Sequence, residues 1–214
     1  MPFYKKKQKK KIILFGNGTH LKITNELARL NGFKIEGLIC DGFEKKKNIF
    51  KIPRLGNRNY LKKINKKKYI FIVSIGDNKT RKSIFNLLKK KKYKFATLIH
   101  PTAVISKNVR IKKGTIINAN VTINTDCVIE ENCIINTGSI IEHDVKIGKN
   151  SHIAPGVKIG GQTTIGNNSL IGIGSIIKDK IKITDNVIVG AGAVVVKNCL
   201  KKGTYTGRPA KIKK

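Results

Sequence analysis

An apolar residue recurs at every sixth position through the second half of the chain. From Ile105 to Val195 this gives sixteen consecutive six-residue units, each opening with Ile or Val. The residue four places later in each unit is small or β-branched, as at Val109 and Thr115. A period of six differs from the 3.6 residues of a helical turn and from the two-residue alternation of a single strand. It predicts one short strand and one turn per unit, with every Ile or Val side chain directed to a common axis.

Repeated strands of this kind stack about 4.8 Å apart, so their inward side chains form ladders. Each buried Ile contributes roughly 1.5–3 kcal/mol relative to exposure, which is enough to stabilise a narrow solenoid. Cys127, Cys133 and Cys199 occupy the small position of their units. That position favours packing over a role as nucleophiles.

The first half of the chain alternates between strand and helix patterns. Apolar runs predict strands at Lys11–Phe15, Ile35–Cys40 and Tyr69–Ile75. Amphipathic spacing predicts one helix after the first of these strands and another after the third. This order predicts a small parallel sheet of Rossmann-like α/β type. The segment 45–68 shows no regular pattern.

The junction between the two halves falls near Pro101. Proline disfavours helix at the preceding residue, His100, and the six-residue register starts just after it. We therefore expect a Rossmann-like domain in residues 1–97, a repeat domain in residues 98–199 and a basic C-terminal tail in residues 200–214.

Three loops of the first half follow the carboxyl ends of strands, where ligands bind to open parallel sheets. Gly16 and Gly18 would let backbone approach a phosphate, and Asp41 lies near the spacing of a ribose- or sugar-binding carboxylate. Leu21 stands where the last glycine of a dinucleotide fingerprint would be, and the glycine loop is equally compatible with a plain turn. The candidate ligand-binding residues are Gly18, Thr19, His20, Asp41 and Gly76.

His143 is the first candidate for catalysis. It lies two residues after the inward Ile141, where side chains should leave the core, and it stands between Glu142 and Asp144. An imidazole ionises near neutral pH and can accept a proton from an attacking amine or hydroxyl. Asp144 could hold its tautomer, and the alternative is an exposed turn histidine without a function.

The charge of the chain is strongly positive. Lys and Arg number 45 against 12 Asp and Glu, which gives a formal net charge of +33. Residues 1–97 hold 28 basic against 5 acidic residues, and only 6 of the 45 basic residues are Arg. No helix-turn-helix, zinc-finger or RNP pattern is present. These features favour a solvated lysine surface over a nucleic-acid interface, although such a surface should attract anionic ligands.

The cysteines and the hydropathy of the sequence indicate the cellular compartment in which the protein is expected. The four cysteines include no C-x-x-C pair and have no metal-type spacing with the histidines. No stretch approaches the 18 or so apolar residues that a membrane-spanning helix needs. We expect a reduced, cytoplasmic protein without a bound metal or a membrane span.

The whole chain resembles one subgroup of the hexapeptide-repeat acyltransferases. The similarity rests on the N-terminal glycine loop, residues 74–78 with Arg81, residues 99–101, residues 141–144 and the closing Gly207–Lys211 segment. The subgroup contains the bacterial nucleotide-aminosugar N-acetyltransferases of the bacillosamine and perosamine pathways, grouped with sialic-acid O-acetyltransferase-like proteins. The resemblance implies three units per coil, a left-handed parallel β-helix and a homotrimer.

The resemblance also implies roles for individual residues. His143 would be the catalytic base, oriented by Asp144, and acetyl-CoA would be the co-substrate. The Gly161 N–H would donate to the carbonyl of the thioester. The remaining acetyl-CoA contacts would be His152, Ile173 and Ala191, and the nucleotide-sugar contacts would be Gly18, Thr19, His20 and Asp41, beside the Gly76 loop that the strand order already indicates.

The leading hypothesis is therefore an N-acetyltransferase that acts by direct transfer on a nucleotide-linked amino sugar of the UDP- or GDP-4-amino type, for surface glycan synthesis. One alternative is a sugar O-acetyltransferase of the sialic-acid type. Another is a β-helix scaffold without catalysis, which would not need the 142–144 triplet together with Gly161. Nucleic-acid binding would instead predict steeply salt-dependent association with duplex DNA.

Overall fold

A computed structural model describes residues 10–42 and 48–213. Within them the first half forms a sheet in the order β3-β4-β2-β1-β5-β6, parallel except for the pair β3–β4. The parallel order with its central first strand confirms the Rossmann-like prediction. In chain order the elements are β1 (Lys11–Phe15), α1 (His20–Leu30), β2 (Lys34–Ile39), β3 (Asn48–Ile49), β4 (Ile52–Gly56), a 3₁₀ helix (Arg58–Lys63), β5 (Tyr69–Val73), α2 (Asn78–Lys90) and β6 (Lys94–Phe95).

The two helices lie on opposite faces of this sheet because successive strand residues point to opposite sides. In β1, Ile12 and Leu14 pack in the apolar cluster that contains α1. Ile13 and Phe15 pack instead in the cluster that contains α2. All four side chains are at most 2% exposed.

The segment without a regular sequence pattern is structured where it is described. Its residues 48–68 hold the β3–β4 hairpin and the 3₁₀ helix, while residues 45–47 lie outside the described part of the chain. The hairpin turns at Phe50 and Lys51, which adopt positive φ angles of 49° and 61°. Neither residue is a glycine or asparagine, so the sequence carries no turn signal there.

The second half is a solenoid with one two-residue strand in most units. Each strand pairs in parallel with the strand 18 residues later, as Ile117 does with Ile135, so three units complete one coil. The bounds are β7 (Leu98–Ile99), β8 (Val104–Ile105), β9 (Arg110–Ile111), β10 (Ile116–Ile117), β11 (Thr122–Ile123), β12 (Val128–Ile129), β13 (Ile134–Ile135), β14 (Ile140–Ile141), β15 (Lys146–Ile147), β16 (His152–Ile153), β17 (Lys158–Ile159), β18 (Thr164–Ile165), β19 (Leu170–Ile171), β20 (Ile176–Ile177), β21 (Lys182–Ile183), β22 (Val187–Val189), β23 (Val194–Val195), β24 (Gly203–Gly207) and β25 (Ala210–Ile212).

These strands form the three faces of a prism, and the fold is a left-handed parallel β-helix. Face I contains β7, β10, β13, β16, β19 and β22; face II contains β8, β11, β14, β17, β20 and β23; face III contains β9, β12, β15, β18 and β21. The chain turns from face I to face II at corner I–II, from face II to face III at corner II–III, and from face III back to face I at corner III–I. The hexad Ile and Val side chains fill the interior, as predicted.

The cysteines of the repeats also point inwards. Cys127, Cys133 and Cys199 are at most 1% exposed, and all are free thiols. Burial raises the pKa of the Cys133 thiol to about 12 and that of Cys199 to about 11. A thiol that resists ionisation is a poor nucleophile, which agrees with packing.

The residues after Cys199 do not run free as a tail. β24 pairs in parallel with β22 and so extends face I, and β25 pairs antiparallel with β24. Thr206 pairs with Lys211 across this C-terminal hairpin. Its turn, at Arg208 and Pro209, therefore lies at corner I–II.

The two halves pack through the outer surface of face I. Leu98, Ile116 and Ile134 point outwards there and are buried in the apolar cluster that contains α1. The same row of side chains continues through His152 to Leu170 and Ile188, and Ile188 is 44% exposed. His152 thus lies where the cover of the N-terminal half ends. No helix of the described residues is long and apolar enough to cross a membrane.

Candidate active site

His143 projects from corner II–III, directly after β14. Its side chain is 51% exposed, as the sequence position predicts. Its Nδ1 lies 2.9 Å from Oδ2 of Asp144. Asp144 adopts a positive φ (59°), as do the equivalent corner residues Asp126 and Gln162. The contact that the sequence only suggested is therefore formed.

The imidazole of His143 lies over Gly161, the equivalent corner residue one coil later. A Cβ at Gly161 would stand 2.8 Å from Nε2 of His143 and 2.9 Å from Cε1. No side chain fits there while the ring keeps this place. The carbonyl of Gly161 accepts from Lys180 N at 2.8 Å, and its N–H has no acceptor in the described part of the chain. Gly161 is buried under the ring, and its N–H is therefore an unused donor beside Nε2 of His143.

Glu142 faces away from this pair. Its Oε2 accepts a hydrogen bond from Asn124 Nδ2 at 2.8 Å, along the neighbouring coil. Within the described ranges, Asp144 is therefore the carboxylate that contacts His143.

A second group of residues meets on the other side of the prism, at His152. Asn136 Nδ2 lies 3.3 Å from Nε2 of His152. The imidazole of His152 also forms a hydrogen bond with the backbone of Gly76. Burial, then the charge of Arg81 and that of His20, lower the pKa of His152 to about 4. Burial and Arg81 likewise lower the pKa of His20 to about 4, and its Nε2 is buried without a partner. Two neutral imidazoles therefore lie at the junction of the two halves.

Arg81 holds this junction together, and sequence reasoning had given it no role beyond the family pattern. It is 1% exposed, and burial lowers its pKa to about 10. Its Nε donates to the Asn132 carbonyl at 3.1 Å, and Nη2 donates to the Asn150 carbonyl at 2.8 Å. Nη1 donates to the Gly76 carbonyl at 2.7 Å. One side chain of α2 thereby connects the loop after β5 to corner III–I.

The asparagines at that corner form a ladder. Asn132, Asn150, Asn168 and Asn186 have positive φ angles between 57° and 61°. Asn132 Nδ2 donates to Asn150 Oδ1 at 2.8 Å, and Asn150 donates to Asn168 in the same way at 3.2 Å. The ladder orders the carbonyls that receive Arg81.

The glycines of the predicted nucleotide loops serve different purposes. A Cβ at Gly16 would stand 2.8 Å from both Ile75 Cγ1 and the Ser74 carbonyl oxygen, so the packing of β1 against the β5 loop explains this glycine without a ligand. A Cβ at Gly18 or Gly76 would meet nothing within 4 Å. These two positions border open space, and the exposed Thr19 lies beside them.

The carboxylate of Asp41 forms an ion pair with Arg58, a residue that the sequence analysis did not single out. Arg58 donates to its Oδ2 from Nη2 at 2.6 Å and from Nε at 2.9 Å, and the Arg58 N–H donates to Oδ1 at 3.1 Å. The side-chain hydrogen bond from Arg58 is the main reason why the pKa of Asp41 lies below its usual value. Arg58 belongs to the unpatterned segment, so spacing gave no signal for the pair. A sugar would meet the ion pair rather than a lone carboxylate.

The predicted acetyl-CoA contacts Ile173 and Ala191 lie one above the other at corner I–II. Ile173 is 61% exposed, and Ala191 is also exposed. His152 and Gly161 lie elsewhere, on face I and at corner II–III. The four predicted contacts therefore do not form one pocket within a single chain.

The two clusters of polar groups lie on opposite sides of the prism. His143, Asp144 and Gly161 stand at corner II–III, whereas His20, Gly76 and His152 meet on face I. A face of six residues at about 3.3 Å each is about 20 Å wide, so a corner of the triangular prism lies about 17 Å from the opposite face, and the two clusters are separated by a distance of this order. One chain does not bring the candidate base to the candidate nucleotide site.

The buried histidines predict a pH-dependent stability. Both have a pKa near 4 in the folded chain against an ordinary value of 6.5. Between these values the unfolded chain binds more protons, so the free energy of unfolding should fall as the pH falls from about 6.5 to about 4. Urea unfolding followed by circular dichroism at pH 7.5, 6 and 5 measures this. His152→Asn should flatten the dependence while His100→Asn leaves it, and a midpoint independent of pH in this window would refute the prediction.

Two sequence families match the chain. The PglD N-terminal domain family matches residues 11–88, and the bacterial transferase hexapeptide family (six repeats) matches residues 126–161 and 162–197. The chain belongs to the hexapeptide-repeat bacterial transferases that carry a PglD-type N-terminal domain. This confirms the resemblance seen in the sequence.

The individual proteins that the chain is similar to are acetyltransferases. GDP-perosamine N-acetyltransferase from Caulobacter crescentus, solved in complex with CoA and GDP-perosamine, is 29% identical with a TM-score of 0.90 over 95% of this chain and 97% of that one. The acetyltransferase domain of PglB from Neisseria gonorrhoeae FA1090, solved with acetyl coenzyme A, is 27% identical with a TM-score of 0.89, covering 96% and 100%. The curated UDP-N-acetylbacillosamine N-acetyltransferase of Bacillus subtilis (strain 168) is 31% identical over 110 residues, about half the length of each protein.

Proposed function

We propose that this chain is an acetyl-CoA-dependent N-acetyltransferase that acylates the amino group of a nucleotide-linked amino sugar for surface glycan synthesis. One observation carries the proposal: an exposed imidazole, bonded to a carboxylate, lies over a glycine whose N–H is unused. The relatives described as N-acetyltransferases of nucleotide sugars support this choice of substrate class.

The geometry suits direct transfer. Asp144 accepts from Nδ1–H of His143, which leaves the lone pair on Nε2 free beside Gly161. The sugar amine attacks the thioester carbon, Nε2 takes a proton from the nitrogen, and the Gly161 N–H stabilises the developing oxyanion. Collapse of the tetrahedral intermediate breaks the carbon–sulfur bond and releases CoA thiolate, which takes from the imidazolium the proton that the amine had given up.

A panel assay tests the activity. Acetyl-CoA is offered with UDP- and GDP-linked 4-amino sugars, with the matching 4-hydroxy sugars and with sialic acid, and free thiol is measured. Turnover confined to the amino sugars supports the proposal. Turnover confined to hydroxyl acceptors would instead support the O-acetyltransferase, which could use the same base. No turnover with any acceptor would favour the scaffold.

We further propose that the working unit is a homotrimer with shared sites and that it acts in the cytoplasm, where free thiols such as its four cysteines remain reduced. The separation of His143 from His20 and Gly76 supports sharing, because a second copy can bring its nucleotide loops to the base. The exposed apolar side chains of the prism support burial between copies. They are Val104, Ile173, Ile176, Ile188, Val196, Leu200 and Ile212.

Subunit mixing should reveal shared sites. His143→Ala removes the base, and Gly76→Trp fills the open space beside the nucleotide loops without touching a neighbouring atom at Cβ. Each variant alone should be inactive, whereas trimers reassembled from an equal mixture should regain about one quarter of the wild-type activity, because one site in four receives both intact halves. Light scattering checks the assembly. No recovery in mixed trimers, or an active monomer, would exclude shared sites.

A further inference from the structure

The prism ends in a surface that no further coil of the described residues covers. β23 is the final strand of face II, and Cys199 pairs with Ile183 at the end of face III. On face I the final strand is β25, where Ile212 pairs with Tyr205. Paired residues of neighbouring strands point to the same side, and Tyr205 packs in the interior, so Ile212 lies over the open end of the prism. Residues 198–203 and β25 together are called the end surface below.

The end surface carries large apolar side chains. Leu200 is 60% exposed and Ile212 is 41% exposed. Ile212 lies close to the segment that holds Leu200, since a Cβ at Gly203 would stand 3.0 Å from its Cδ1. The end of a repeat protein needs only a polar outer face to stay soluble. These two side chains therefore point to a contact.

The charge around them is positive and unpaired. Residues 186–214 contain seven Lys and Arg and no Asp or Glu. The last acidic residue before them, Asp185, accepts from Asn167 Nδ2 at 3.0 Å. Four exposed lysines flank Leu200 and Ile212, and none of them forms an ion pair with a carboxylate of the described residues; they are Lys201, Lys202, Lys211 and Lys213.

The proposed trimer would place three end surfaces in one plane, and this step rests on that proposal. His143 and His152 belong to the same coil, β14 to β16. Copies that share a site between these levels stand side by side and point in the same direction, as cyclic symmetry requires. Such packing covers the sides of the prisms and leaves their ends open, so the three ends form a flat array.

The charge selects the occupant of this array. A second array is excluded, because each cluster of lysines would face another cluster of the same sign. Lysine stems can lie along apolar surface while their ammonium groups reach outwards. Exposed apolar side chains surrounded by lysines are typical of proteins that lie on anionic bilayers, and a bilayer is flat like the array.

We propose that the end surface binds the surface of an anionic lipid bilayer. Leu200 and Ile212 enter the boundary between head groups and acyl chains, and the neighbouring lysines contact the lipid phosphates. Three ends of one trimer reach the same bilayer, so weak binding at each end adds up to stable attachment. The attachment is peripheral and needs no membrane-spanning segment.

Insertion can be followed by fluorescence. The chain contains no Trp, so Leu200→Trp is a single reporter at the end surface. Vesicles of phosphatidylcholine with phosphatidylglycerol should shift its emission to shorter wavelength, because the indole enters an apolar environment. Vesicles of phosphatidylcholine alone should not. Leu30→Trp is the matched control: Leu30 is 40% exposed on α1, and its emission should stay the same with both kinds of vesicle.

Sedimentation of the protein with the same vesicles tests the lysines. The double variant Lys201→Gln, Lys202→Gln should raise the lipid concentration for half-maximal binding at least about tenfold. The double variant Lys90→Gln, Lys91→Gln removes the same charge from the exposed end of α2 and should change it little.

Three results would overturn the proposal: no binding to the anionic vesicles, an equal loss in both double variants, or an equal emission shift in Leu30→Trp. Binding to polyglutamate but not to vesicles would also overturn it and would assign the end surface to an acidic protein. Neither measurement uses an acyl donor or acceptor, so their outcome is independent of the proposed acetyl transfer.

Discussion

Replacing His143 by alanine should lower kcat by about 10²–10⁴-fold, the usual loss when a positioned general base is removed. Nothing else in the described chain is placed to substitute for it, because Glu142 is turned to Asn124 and His152 lies on face I. The loss should appear in kcat more than in KM for either substrate, since the proton is transferred only in the transition state. Steady-state kinetics with each substrate varied in turn measures it.

The folded state should survive this change. The His143 side chain is half exposed, and its recorded side-chain hydrogen bond is the one to Asp144. Circular dichroism and light scattering should therefore match the wild type. His100→Ala removes a histidine at the start of the prism and should keep full activity. A folded His143→Ala protein with near-normal turnover would end the assignment of the base.

The solenoid was predictable because its pattern is redundant. Sixteen repeats of one apolar position leave no other register that buries the same side chains. The same pattern predicted that His143 leaves the core, since its place relative to Ile141 fixes its direction. Its contacts with Asp144 and Gly161 could not be read in this way, because they depend on a positive φ and on the next coil.

The nucleotide half was predictable only in outline. The spacing of apolar residues predicted the strands and helices of the sheet. Arg58, however, follows the short β3–β4 hairpin, which has no alternating apolar pattern. Its contact with Asp41 arises only from the tertiary fold. The resemblance assigned His152 to acetyl-CoA and His20 to the nucleotide sugar. The structure brings both to the same junction, so a ligand of either half that reaches it would meet both rings.

Arg81→Ala should produce the largest loss of stability in the chain, about 3–5 kcal/mol in the free energy of unfolding. The substitution removes the guanidinium donor from the buried carbonyls of Asn132 and Asn150 and from the part-buried carbonyl of Gly76, and a buried group without a partner costs about 1–3 kcal/mol. Relief from burying a guanidinium offsets part of this cost, which is why the expected loss is below the sum. Arg81→Lys keeps one charge but cannot reach all three carbonyls, so it should be intermediate.

The loss should be uneven between the halves. The prism keeps its Ile ladders in Arg81→Ala, whereas the N-terminal half loses its buried polar attachment to corner III–I and keeps there the Asn78–Ser169 hydrogen bond and the Lys89–Glu131 ion pair. The sheet should therefore unfold first and at lower urea concentration. Far-UV circular dichroism and limited proteolysis resolve the two steps. The charge of Arg81 also lowers the pKa of both His20 and His152, so their titration, followed by NMR, should move to higher pH in the variant. Lys79→Ala, on the exposed side of the same helix, should change neither property. An unaltered urea midpoint in Arg81→Ala would show that the packing on face I and the remaining polar contacts, such as those of Asn31 with Ile99, join the two halves without Arg81.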